Sequence, residues 1–111
     1  MAKKPSIVQK ILVPTDFGSK AEQALHIACD LARITRAEIM LFHAIDLPYS
    51  TELRKDKLRA ELEKSARPAL KEQIKIAKTQ LPRLKIKISS KLVIGNPIQV
   101  IVKEAAEGGY D

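Results

Sequence analysis

Two short stretches hold the residues best placed for chemistry, Pro14-Thr15-Asp16-Phe17 and His43-Ala44, each at the end of an apolar run. Asp16 can accept hydrogen bonds from a ribose or a ring amine, and the helix start at Ser19 offers free amides and a positive dipole end. The plainer duty of capping the helix is the first reading of Asp16 and Ser19, with ligand contact beside it as the alternative. His43 has the same double character: it can face a bound nucleotide or act as a hydrogen-bonded structural histidine. His26 lies one position beyond Leu25 on an apolar stripe and is expected in solvent. Cys29, beside Ala28, reads as a small core or boundary residue rather than a redox thiol. Gly95 in "VIGNPI" reads as a turn between strand and helix rather than a phosphate contact. No metal-ligand spacing occurs, and no Ser, His and Asp constellation is placed by sequence.

These residues must be positioned by the elements around them. The run Ile7 to Pro14 shows no alternation at Ile11, Leu12 and Val13, as in a strand covered on both faces, and Pro14 ends its ladder. Ser19 with Glu22 has capping-box spacing. The stripe Ala21, Ala24, Leu25, Ala28, Leu31 and Ala32 then predicts a helix with one buried face. Glu38 to Ile45 predicts a second strand covered on both sides. A loop, "DLPYST", leads to a long helical segment from Glu52 to about Gln80, with a kink or break expected near Ala66 to Pro68 because proline cannot bond back to the carbonyl of Lys64. In "LKIKISSKLVIG", Leu84, Ile86 and Ile88 alternate with Lys85, Lys87 and Ser89, which predicts a strand at a sheet edge. Asn96 as N-cap, Pro97 at the first helical position and Gly108 past the end frame a third helix.

Strand, helix, strand, repeated, is the order of parallel crossovers, so the expected fold is α/β with an open parallel sheet in the order 3-2-1. The first strand then lies at one edge although its composition is that of an interior strand. The expectation is that residues 1–111 form a single, C-terminally incomplete domain whose next strand would start near Tyr110 and Asp111. In such sheets ligands settle at the carboxyl ends of the strands, which places Pro14, Thr15 and Asp16 beside the crevice.

Composition narrows the function classes. At 111 residues with 45% apolar content, the chain is one domain with one core. No window approaches the roughly 18 to 20 apolar residues of a membrane span, and "MAKKPSIVQK" turns polar too early for a signal peptide, so a cytoplasmic location is expected. The single cysteine makes no internal disulfide. The net charge of +7 raises nucleic acid as a partner. Between Arg54 and Lys78, however, the basic residues are interleaved with acidic ones or lie beside them, as on a solvated helix face, and the four aromatic residues are too scattered for base stacking.

The pieces "KILVPTDFGSKAEQAL", "AEIMLFHAID" and "GNPIQVIVKEAAEGGYD", in this order and spacing across nearly the whole chain, resemble the universal stress proteins of the UspA type. The resemblance implies a Rossmann-like five-stranded sheet of order 3-2-1-4-5, usually a homodimer, with ATP bound by some members. It implies that Asp16 with Pro14 and Thr15, and Ala44 beside His43, hold the ribose and adenine. In those members the phosphates lie in a glycine-rich loop after the fourth strand, and this sequence lacks that loop and strands 4 and 5. The expectations are therefore a regulatory stress-response protein that is no enzyme, a homo-oligomer, and ATP binding impaired in this chain. Two alternatives stand beside it: a nucleotide-binding α/β enzyme of the adenylating type, and a nucleic-acid or protein interaction module using the basic helix.

Overall fold

The computed structural model describes residues 8–46 and 55–111. Six elements alternate along the chain: β1 (Lys10–Pro14), α1 (Ser19–Thr35), β2 (Glu38–Ile45), α2 (Lys55–Gln80), β3 (Ile88–Ile94) and α3 (Pro97–Glu107). The strands form one parallel sheet in the order β1-β2-β3, with Ile11 opposite Ile39 and Ile39 opposite Ile88. The expected 3-2-1 order is therefore the observed one, and β2 has the predicted bounds. The loop after Asp46 and the start of the predicted long helix lie outside the described residues.

Side chains alternate across β2 and so divide the protein into layers. Ile39 and Leu41 join Leu25 and Ala28 of α1 and Leu70 and Ala77 of α2 in one buried cluster. Phe42 instead lines a cleft with Pro97 and Ile101 of α3, which places α3 on the other face. Cys29 is buried in the first cluster, and burial pushes its thiol above the ordinary value, as a structural cysteine requires.

Several local expectations are corrected. The long helix runs through Pro68 without interruption. Pro68 and Lys64 are exposed, so the missing hydrogen bond falls on the water side, while Ala66, Leu70 and Ala77 pin both halves to the core. The cap of α1 is Gly18 rather than Ser19, and no side chain caps it. Asp16 is the cause: its Oδ1 accepts the Gly18 amide at 2.8 Å and turns the chain one residue early. β3 begins only at Ile88, but the predicted alternation already holds from Leu84, where Leu84 and Ile86 pack on the core and Lys85 and Lys87 are exposed. β1 spans five residues, and of its apolar run Val13 is buried while Ile11 and Leu12 are half-buried.

The predicted stripe of α1 also divides in two. Ala21, Leu25, Ala28, Cys29 and Ala32 are buried, whereas Ala24 and Leu31 fall on a flank with Ile27 and Ile34. Ile27 and Ile34 are 67% and 81% exposed. The other flank carries His26 and Arg33, which both reach Gln80 at the end of α2; the Arg33 Nη2 donates to the Gln80 carbonyl at 3.0 Å. His26 is thus exposed as expected but engaged. Because that flank faces α2, the apolar flank faces the outer margin of β1.

The tail after α3 reaches the same margin. The Gly108 amide closes α3 on the Glu104 carbonyl at 2.8 Å, and Gly109 takes the left-handed conformation, φ 73°. A Cβ on Gly108 would stand 2.2 Å from the Tyr110 ring, so glycine is what lets that ring fold back. Lys10 Nζ donates to the Gly108 carbonyl at 2.8 Å and lies over the Tyr110 ring at 4.6 Å. The Asp111 amide donates to the Lys10 carbonyl at 2.9 Å, and its Oδ2 accepts from the amides of Gln9 and Lys10 at 2.7 and 2.9 Å. Asp111 therefore docks on the outer margin of β1.

Candidate functional site

The loop after β1 is built by two nested turns. Thr15 Oγ1 accepts the Phe17 amide at 3.0 Å and Asp16 Oδ1 accepts the Gly18 amide, which holds Phe17 at φ 66°, a conformation that costs a non-glycine residue about 1–2 kcal/mol. The Phe17 ring is steadied against His43, centroid to centroid 4.5 Å, and His43 Nδ1 stands 2.7 Å from the Thr15 carbonyl. A carbonyl only accepts, so in this contact Nδ1 is the donor. A second tie, from the Thr15 amide to the Phe42 carbonyl at 2.8 Å, joins the ends of β1 and β2.

Beside these strand ends lies a cleft of about 460 Å³, within the range of roughly 300–1,000 Å³ for small-molecule sites. Pro14, Thr15, Asp16, His43 and Ala44, the five residues singled out from sequence, all line it. Sequence reasoning missed the rest of the wall. Lys20 and Ala24 come from the first turns of α1, Phe42 from β2, and Pro97 and Ile101 from α3 across the sheet. The place of Lys20 in the first turn of the helix that follows Asp16 was the signal available for the lysine. Only the topology brings α3 to the site.

The wall is mostly apolar, and its polar groups have distinct states. Thr15 is buried with its hydroxyl engaged by Phe17. Asp16 is exposed, with Oδ1 engaged and Oδ2 without a partner among the described residues. Such a cleft can hold a flat apolar ring against Ala44 and Phe42 and a hydroxyl-bearing group at Asp16. His43 and Ala44 also line a second cleft of about 310 Å³, with Phe17, Asp46 and Leu62. Among the described residues, no group of three or more His, Cys, Asp or Glu is arranged to hold a metal ion, and no helix is long and apolar enough to cross a membrane.

An open parallel sheet with helices on both faces and a cleft at the carboxyl ends of its first two strands defines a Rossmann-like α/β protein. More particularly, the chain belongs to the universal stress protein family, whose sequence profile matches residues 8–111. It is similar in structure to the hypothetical protein MJ0577, with 32% identity and a TM-score of 0.75, over 95% of this chain and 72% of that one. It is similar in fold to the universal stress protein UspA from Lactobacillus plantarum, at 18% identity and TM-score 0.76, over 91% and 70% of the two chains. A universal stress protein in complex with cAMP matches at 22% identity and TM-score 0.65, over 94% and 68%. A search of curated protein sequences finds no match.

Proposed function

We propose that this is a non-enzymatic, cytoplasmic regulatory protein of the stress response whose cleft takes the adenosine end of an adenine nucleotide. The observation that carries the reading is the convergence, on one apolar-walled cleft, of the unoccupied Asp16 oxygen and the locked ends of β1 and β2. Asp16 accepts from the ribose hydroxyls, the main chain near Ala44 meets the ring edge, and Pro14, Thr15 and His43 hold the wall in shape. A neighbour of the same fold described in complex with cAMP supports an adenine ligand. For adenosine a Kd of about 1 mM, worth about −4 kcal/mol, is expected. Calorimetry tests this. Adenosine should bind weakly, guanosine more weakly still, and Asp16→Ala should lower adenosine affinity about tenfold; indifference to Asp16→Ala overturns the reading.

We infer further that residues 1–111 belong to one domain whose β1 margin is built to receive another strand, and that the protein is a homo-oligomer. Support comes from the apolar flank of α1 beside that margin. Sedimentation showing only monomer at about 1 mM protein, where even a Kd of that size leaves much dimer, would contradict the assembly.

A further inference from the structure

Two charged side chains line the cleft, Asp16 and Lys20, and they impose opposite demands on a ligand. The Asp16 carboxylate repels phosphate and takes hydroxyl or amine donors. Lys20, the second residue of α1, brings the only ammonium among the described lining residues, and it has no ion-pair or hydrogen-bond partner among them. The remaining wall is apolar around Ala21, Ala24, Phe42, Ala44, Pro97 and Ile101, which suits a ring and leaves no second cation.

We propose that Lys20 reads the phosphate attached next to the sugar, so that this cleft separates an adenine nucleotide from its nucleoside. The inference rests on the adenosine reading of the cleft. Charge sets the orientation. With the ribose hydroxyls at Asp16 and the ring against Phe42 and Ala44, a phosphate is excluded from the Asp16 end and is drawn toward Lys20. A charge-assisted hydrogen bond is stronger than a neutral one, and at an exposed site about a tenfold gain in affinity is the expected scale. AMP should therefore bind more tightly than adenosine. Lys20 is thus a specificity-determining residue that separates nucleotides from nucleosides.

The test uses the full chain, with adenosine and AMP titrated by calorimetry or by amide chemical shifts. The expected result is AMP about tenfold tighter than adenosine, a preference abolished in Lys20→Gln and retained in Lys20→Arg. Glutamine is a good helix former, and the adenosine titration of the same variant reports on the fold of the cleft. If Lys20→Gln keeps the preference for AMP, or if the unaltered protein binds adenosine and AMP alike, Lys20 does not read phosphate and the inference is overturned while the adenosine site stands. If neither adenosine nor AMP binds, the reading of the cleft itself fails and this inference falls with it.

Discussion

The two margins of the sheet are built differently. At β3, Ser90 and Lys91 are exposed in the strand, and Lys85 and Lys87 precede it. Lysine along a margin discourages pairing with another chain, so this edge is finished. At β1 the strand is apolar, the flank of α1 above it shows Ile27, Leu31 and Ile34, and Ile98 and Val102 of α3 are exposed as well. In a parallel ladder alternate residues face the neighbouring strand. Glu38 donates to the Gln9 carbonyl and Thr15 to the Phe42 carbonyl, which assigns the odd residues of β1 to β2. Lys10, Leu12 and Pro14 therefore turn their backbone groups outward. Asp111 satisfies Lys10, and Leu12 has no neighbouring strand on that side among the described residues. The difference teaches that a sheet margin is recognised by its lysines and by the helix flanks beside it as much as by its place in the strand order.

The largest expected effect comes from breaking the β1 side of this contrast. Burying an Ile or Leu contributes about 1.5–3 kcal/mol, so Ile27→Asp with Leu31→Asp should weaken self-association by roughly a thousandfold, read by sedimentation. The flank is exposed in the single chain, and its thermal stability should change little. Arg33→Ala on the opposite flank should do the reverse, costing about 1 kcal/mol of stability through the contact with Gln80 and leaving assembly unchanged. Equal effects of both changes on assembly would show that the two flanks are not distinct.

Next in size is the hold of the tail on β1. Asp111→Ala removes an acceptor shared by two amides, and about 1–2 kcal/mol of local stability should be lost. Hydrogen exchange at Gln9 and Lys10 should accelerate, with no change in β3. Unaltered exchange at those two amides would mean that the tail does not dock on β1.

How far the sequence revealed this arrangement depends on whether a signal was local. The bounds of β2, the Asn96 cap with Pro97 behind it, the lysine alternation of Leu84 to Ser89 and the cluster Pro14 to Asp16 with His43 and Ala44 were all legible, because each is a pattern within a few residues. Ile27 and Ile34 are visible as apolar letters, but their exposure depends on which flank α2 covers. Pro68 misled, since the cost of proline depends on packing elsewhere along the helix. The bond between His43 and the Thr15 carbonyl joins residues whose nearness exists only once β1 pairs with β2. The clustering of Lys20 with Pro97 and Ile101 likewise required the crossover of α3.

The smallest expected effect is also the one that ties the margins together. Glu104 of α3 accepts from Lys91 of β3 through Oε1 at 2.8 Å and from the Tyr110 hydroxyl through Oε2 at 2.7 Å. Lys91 first, and then Tyr110, hold this carboxyl below its usual range. A depressed folded-state pKa adds stability that is present above the unfolded value of about 4.3 and drains away as pH falls through the folded one. Burial first, then the Glu104 acceptor, push the Tyr110 phenol above its ordinary value, so its contribution is complete below about pH 10 and is lost as pH rises beyond that. Glu104→Gln should flatten the acid limb of the stability curve, measured by urea unfolding between about pH 3 and 7, where the Glu reference lies. Lys91→Ala and Tyr110→Phe should each cost about 0.5–1 kcal/mol. Because they share one carboxylate, their double-mutant cycle should show a coupling of about 0.5 kcal/mol rather than simple addition. Strict additivity would mean that α3 holds the two margins independently, and the finished edge would then have no influence on the open one.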